Sequence, residues 1–464
     1  MTVSHRATRY ARLAALSAVI SLVIAQPTGA QESEAAATTA PATTAPAAVE
    51  AVLPIPDYSG DVWERSFLLG DLGGDRTDLA EKGVQFNVDW VQTAQSVVDG
   101  GSDTGTKYGG SLDYLLYIDL YRMGLMPGAF IKVRAESRYG ESVNDMSGAI
   151  LPVSTDGFFP LTDSIDEDIA ITVTAVTYYQ YLSEKFALFG GKLDSLDSDL
   201  NEFASGRGNS QFLNTQLVFS PTLALMPYST IGGGAILMPT KNLTISSLVV
   251  SLNDSSTTTG LGDNELEEGW AWASEASFQY RVGKLPGGTN IGAVYLWDTE
   301  FFDFSGRFTF APGEAIVPPT TSDTWIAYVS GWQYLFARDG ADGPLNLANG
   351  EPDREGFGVF WRAAVADDDV NPTQWSLSGG VGGKGMIPGR ARDFFGVGYF
   401  YNSVQSSRLT SALGLDDHTQ GFECFYNISL TPAAQLTLDA QLIDSADSDL
   451  DTGVVLGMRL KIEL

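Results

Sequence analysis

The sequence predicts an all-β fold: a transmembrane antiparallel β-barrel of about 16 strands, with a short N-terminal helix and a disordered tether ahead of it. Three observations predict it. After Val84 the chain runs in segments of about ten residues that alternate apolar and polar, separated by Gly, Asn, Asp, Ser and Pro clusters, the period-two pattern of strands with two unlike faces. Aromatic residues recur near the ends of those segments, and no stretch reaches the roughly 18 to 20 successive apolar residues of a spanning helix. The 464 residues include 50 Gly, 24 Phe, 18 Tyr and 9 Trp, and the mean hydropathy is zero despite a formal charge of −30.

The elements follow in chain order. Arg6, Arg9 and Arg12 precede the largely apolar run Leu13 to Ala25, and the small residues Gly29 and Ala30 follow, so residues 1–30 read as a cleaved secretory signal peptide. Residues 31–60 read as the tether. From Gln31 to about Val52 they are mostly Ala, Thr and Pro, with Thr38-Thr39-Ala40-Pro41 repeated as Thr43-Thr44-Ala45-Pro46, a composition that cannot bury a core. Residues 61–464 form the barrel domain. At its start, Asp75-Arg76-Thr77-Asp78-Leu79-Ala80-Glu81-Lys82-Gly83 has acids first, a base near the end and Gly at the stop, as a two-turn helix requires.

The strands are best read residue by residue. Between Phe130 and Tyr139 one face shows Ile131, Val133, Ala135, Ser137 and Tyr139, while the other shows Lys132, Arg134, Glu136 and Arg138. In the last segment Val454, Leu456, Met458, Leu460, Ile462 and Leu464 oppose a face holding Arg459, Lys461 and Glu463. Trp270 to Tyr280 places Trp270, Trp272, Phe278 and Tyr280 on one face and Ala271, Ala273, Glu275 and Arg281 on the other. Ten steps of about 3.3 Å tilted by about 40° rise roughly 25 Å, the height of the apolar band between the aromatic girdles of an outer-membrane barrel. Tyr328, Trp332, Tyr334 and Phe336, and Phe394, Phe395, Tyr399 and Tyr401, read as further girdle positions, with Trp270, Trp272 and Trp332 assigned to lipid.

Lipid satisfies no backbone hydrogen bonds, so a spanning sheet must close, and closure creates a lumen. About 380 residues at roughly 20–25 per strand and loop give about 16–18 strands, a size that leaves an aqueous channel. Removing residues 1–30, which hold three of the 27 basic and none of the 57 acidic residues, leaves a formal charge of −33. That charge argues against a nucleic-acid partner and against a phosphate-collecting pore. A single cysteine, Cys424, excludes an intrachain disulfide. Once the signal is removed only His418 is left among histidines, which gives neither a zinc cluster nor a convincing hydrolytic triad; neither an enzyme nor a cofactor is expected.

Three stretches resemble the carbohydrate-selective porin family of the OprB type. Leu69-Gly70-Asp71-Leu72-Gly73-Gly74-Asp75-Arg76-Thr77-Asp78-Leu79-Ala80-Glu81-Lys82-Gly83-Val84-Gln85-Phe86 is similar to the family's opening G-D-W-G-G-x-R-x-x-L-x-x-x-G-V-x-F, with Leu72 in place of Trp. Asp369-Val370-Asn371-Pro372-Thr373-Gln374-Trp375 and Gly385-Met386-Ile387-Pro388-Gly389-Arg390 resemble its D-V-N-P-x-x-W and G-x-I-P-G-R. The end, from Leu430-Thr431-Pro432 to Leu456-Gly457-Met458-Arg459-Leu460-Lys461-Ile462, looks like its closing strands, although Leu464 replaces the usual final aromatic. The resemblance implies a 16-stranded outer-membrane barrel for passive diffusion of glucose and other sugars.

Within such a barrel Lys132, Arg134, Glu136 and Arg138 are the candidate pore-lining, solute-binding residues, because mixed charges offer donors and acceptors to sugar hydroxyls. Asp113 and Asp119, on the polar face opposite Leu112, Tyr114, Leu116 and Ile118, join them, as do Glu275 and Arg281. Every barrel strand also needs polar inward residues, so an ordinary solvated wall is the competing reading. No metal site is expected. The runs Asp194 to Asp199 and Asp444 to Asp451 lack the Gly and terminal Glu of a calcium loop and read as solvated acidic loops. The Gly-rich run Gly379 to Gly385 reads as strand backbone free to bend. The partners expected are sugars or other small polar solutes and outer-membrane lipid, with the chain a monomer or homotrimer. A general or cation-preferring porin, or a structural outer-membrane anchor, are the alternatives.

Overall fold

In the computed structural model, the structure describes residues 51–155, 171–195, 201–205, 207–261, 266–310, 316–338, 354–407, 410 and 414–464. The expected signal peptide, and the expected tether up to residue 50, lie outside the described residues.

The strands are β1 (Val84–Asp99), β2 (Gly105–Asp119), β3 (Ala129–Gly140), β4 (Thr172–Ser183), β5 (Phe186–Asp194), β6 (Ser229–Thr240), β7 (Leu243–Ser251), β8 (Trp270–Val282) and β9 (Leu285–Phe302). After a two-stranded hairpin, β10 (Thr309–Phe310) and β11 (Ile316–Val317), come β12 (Thr320–Ala337), β13 (Gly356–Ala366), β14 (Trp375–Lys384), β15 (Phe394–Ser403), β16 (His418–Thr431), β17 (Ala434–Asp444) and β18 (Gly453–Glu463). All but β10 and β11 form one closed antiparallel barrel of 16 strands, each paired with its neighbours in sequence and sealed where β1 meets β18 from Asp89↔Glu463 to Asp99↔Val454. Closure leaves no strand edge unpaired, which is what a lipid environment demands.

The outer face carries the exposed apolar side chains, among them Val249, Leu377, Val397, Leu438 and Leu456. Trp272, Tyr295 and Trp325 stand side by side on it in register, exposed as an interfacial aromatic group should be. One end of the barrel holds four two-residue links, at residues 184–185, 241–242, 283–284 and 432–433, together with the start of β1 and the end of β18. We call it the turn end; the opposite, loop end carries the β3–β4 and β5–β6 connections, the two longest between barrel strands.

The expected helix forms as α1 (Asp75–Glu81), and Gly83 turns the chain into β1 at a φ of +96°. Arg76 of α1 is only 2% exposed. Its guanidinium lies 4.5, 4.6 and 5.0 Å from the ring centroids of Tyr58, Phe67 and Phe86, and donates to the Phe86 carbonyl at 2.8 Å. These contacts fasten the preceding segment beside β1. The tether expected over residues 31–60 does not extend that far. Val52 and Leu53 are buried in a cluster with Phe130, Tyr179 and Phe189, and the Leu53 and Pro54 carbonyls accept from Arg122 and Gln85.

The connection from β5 to β6 turns inward. Phe203, Ala204, Phe212, Leu217, Val218 and Phe219 are buried and pack on Tyr334, Phe360, Phe400 and Phe425, inward side chains of β12, β13, β15 and β16. Phe212 meets Phe360 at 5.3 Å and Phe425 edge-on at 4.8 Å between centroids. Space for the insert comes from inward glycines. A Cβ on Gly398 would lie 2.9 Å from both Leu217 methyl carbons, and one on Gly382 would lie 2.7 Å from Phe203 Cβ. The Gly-rich run therefore includes a socket for the inserted segment, a close-approach role in addition to freedom to bend.

The insertion also corrects the aromatic assignment. Tyr328, Trp332 and Tyr334 face inward, with the Tyr328 hydroxyl donating to Glu275 at 2.9 Å and Trp332 meeting Phe203 edge-on. Only Phe336, beyond an irregularity in the β12–β13 register, returns to the exposed face. Phe394 likewise packs with the interior cluster. Alternation separates two faces but does not say which is wetted, and an interior wall that receives a folded segment is as apolar as one that receives lipid.

The candidate pore constriction

The period of β3 places Lys132, Arg134, Glu136 and Arg138 inward and buried. Asp113 of β2 stands directly opposite Glu136 in register. Two carboxylates facing each other across a ladder repel, so the pair requires cations. Arg138 Nη2 donates to Glu136 Oε2 at 2.9 Å, and Arg134 lies 3.9 Å from Asp113 and 3.8 Å from Asp194.

The third cation comes from the inserted segment. Arg207 bonds Glu136 and contacts the Tyr228 hydroxyl, and its other amino group reaches both Asp194 oxygens at 3.0 and 3.1 Å. Tyr228 donates to Glu136 at 2.6 Å. Thr174, the extra residue where the β3–β4 register shifts between Arg134 and Ala135, donates to Asp194 at 2.9 Å. A bulge beside a functional site re-aims a side chain in this way. The cluster so contains Arg134, Arg138 and Arg207 against Asp113, Glu136 and Asp194, equal formal charge of each sign, buried and bonded where the insert meets the wall. Such a field can orient polar solutes without a net preference for either ion sign.

A family model, carbohydrate-selective porin, OprB family, matches residues 103–464. The chain belongs to this family. Two solved structures of the OprB porin of Pseudomonas putida share its fold. The high-pH form has a TM-score of 0.72 at 19% identity, covering 87% of this chain and all of that one. The low-pH form has a TM-score of 0.54 at 15% identity, covering 86% and 99%. Compared with curated proteins by sequence, the chain finds no match. As a member of the carbohydrate-selective porins it is an outer-membrane channel for small polar solutes.

Of the residues selected from sequence, this porin brings Asp113, Arg134, Glu136 and Arg138 together. Lys132 faces inward one rung nearer the turn end, opposite Tyr117 and Thr177. Asp119 is placed differently: its carboxylate accepts from the Tyr121 and Arg122 amides at 3.0 and 3.1 Å, capping the β2–β3 link. Glu275 stands on β8, accepting from Tyr328 and Ser277, and Arg281 is exposed near the turn end of the same strand. Asp194, read as part of a solvated loop, is instead buried at the end of β5 in the cluster. Arg207, Tyr228 and Thr174 were not selected. The available signal was Ser205-Gly206-Arg207-Gly208, an Arg set between glycines within a stretch that does not alternate.

The insert is held by polar side chains of the barrel wall and of the β13–β14 connection, none of them among the candidate site residues selected from sequence. Glu423 of β16 accepts the Leu213 and Asn214 amides at 2.6 and 2.9 Å, just before α2 (Thr215–Val218), which Asn214 caps through Gln216 N. Arg362 of β13 donates to the Leu217 carbonyl at 2.7 Å and also to that of Ala204. Asn371, from the family-like D-V-N-P run, donates to the Thr222 carbonyl at 2.7 Å. The G-x-I-P-G-R turn is tied to β16: Arg390 pairs with Asp393 at 2.8 Å, which also accepts from the Tyr426 hydroxyl at 2.7 Å and Ser429 N at 3.0 Å.

Proposed function

We propose that the Arg134–Glu136–Arg138–Arg207 cluster, with Asp113, Asp194 and Tyr228, is where this porin selects carbohydrate during passive diffusion. The observation that carries this reading is the docking of Arg207 from the insert onto Glu136 and Asp194 of the wall. A neutral sugar gains transient charge-assisted hydrogen bonds there, with carboxylates accepting from hydroxyls and guanidinium groups donating to them. Glucose and other small sugars are the solutes that suit both the family and the mixed charge. A cation-preferring pore, suggested by the acidity of the whole chain, is disfavoured by the equal signs at the cluster.

Liposome swelling with sugars of increasing size tests the proposal. Fast swelling with glucose and a steep decline with size are expected, and Arg207→Ala should flatten the discrimination while retaining swelling. Equal rates for sugars and similarly sized zwitterions in both proteins would refute it.

A further inference from the structure

We infer that Arg459, on the last strand, is a positioning residue that sets the place of Arg207 in the constriction without itself meeting solute; the inference rests on the selectivity reading above. Arg207 has a φ of +35° and is followed by Gly208 at +70°. A non-glycine residue holds a left-handed backbone only where its surroundings impose it. A Cβ on Gly208 would lie 2.6 Å from Thr155 Cβ, so the turn is pressed against the β3–β4 connection from one side.

Arg459 imposes it from another. Its side chain, 1% exposed, donates to the Gly208 carbonyl immediately after Arg207, to the Gln211 carbonyl at 2.8 Å and to Thr437 Oγ1 at 3.0 Å. Asn427 adds a bond to the Ser210 carbonyl at 3.1 Å. The backbone of residues 208–211 is thus tied to β16 and β18, while the Arg207 side chain is tied to β3 and β5. β18 is separated from β3 by β1 and β2. At about 4.8 Å per strand this is a span of roughly 14 Å along the wall. The turn therefore bridges two parts of the wall, and Arg459 fixes the far end. If the Arg459 anchor is removed, the Arg207 backbone can relax and its guanidinium leaves the place where Glu136 and Asp194 hold it.

The test is a double-mutant cycle in planar bilayers, with Arg459→Met, Arg207→Ala and the double variant, reading the reversal potential in a KCl gradient and the block of conductance by glucose. Arg459→Met should shift the reversal potential towards cations and weaken glucose block by at least about twofold, the lower end of coupling within one hydrogen-bond network. The double variant should match Arg207→Ala alone. Equal effects of Arg459→Met with and without Arg207 would mean that Arg459 acts through its own charge, and would overturn the inference.

A second measurement separates this from failure of the selectivity reading. Arg207→Cys in a Cys424→Ser background is labelled with a cationic thiol reagent, and Arg459→Met should change the labelling rate by at least about twofold. An altered rate with an Arg207→Ala channel of unchanged selectivity would refute the selectivity reading and keep the positioning role; an unaltered rate would end the positioning role. Should Arg459→Met fail to fold, Arg459→Lys carries the same test, with a smaller expected shift.

Discussion

Replacing Arg207 by methionine keeps most of the side-chain volume and removes one of three cations from a cluster with three carboxylates. The cluster then carries a net formal charge of −1. A unit charge acts on a permeating ion at about 4 Å with roughly 1 kcal/mol in bulk water, and with more where the wall excludes solvent. The charge attracts a cation and repels an anion by that amount, so the two differ by about 2 kcal/mol, which at an RT of about 0.59 kcal/mol is roughly a thirtyfold rise in the cation-to-anion permeability ratio. The assay is the reversal potential of single channels in a KCl gradient at about 0.1 M, where the Debye length of about 10 Å leaves a contact of this range largely unscreened. Glu136→Gln should move the potential the other way, because it leaves three arginines against two carboxylates. An unchanged potential in both variants, with folded barrels, would refute the reasoning, as would a shift of the same sign in both.

Two further outcomes follow from the packing and from the family-like turn. Gly398→Val places methyl groups where Leu217 and Phe212 sit; overpacking of this kind costs about 1–3 kcal/mol, so the insert should be displaced, raising conductance and weakening sugar block while circular dichroism still reports an intact barrel. At the β14–β15 turn, burial pushes the Asp393 carboxyl up, but hydrogen bonds from Arg390, Tyr426 and Ser429 together hold it below its ordinary 3.8. A depressed folded value means that the stabilisation is complete above pH 3.8 and is lost as pH falls through the folded value. Asp393→Asn should therefore lower the thermal midpoint in detergent at pH 7, with the difference from the parent protein closing in strong acid; a difference independent of pH would count against the assignment.

Much of this protein was legible in its sequence because the information is local. Alternation along β3 places Lys132 to Arg138 on one face within a few residues, and the Asp75–Gly83 pattern specifies α1 within two turns. Backbone groups that must be satisfied in lipid turn such strands into a closed wall, and the number of segments sets its size. The use made of the inward face was decided by the tertiary structure. Arg459 reaches Gly208 across 251 positions of chain and Glu423 reaches Leu213 across 210, and no periodicity encodes such a pairing. For the same reason Trp332 reads as a lipid anchor yet packs inside, and Arg207, unremarked in a loop, supplies the Glu136–Asp194 cluster with its third cation. Strand pattern fixes which side chains share a face; only the folded chain settles what that face touches, because burial depends on the segment that returns to cover it.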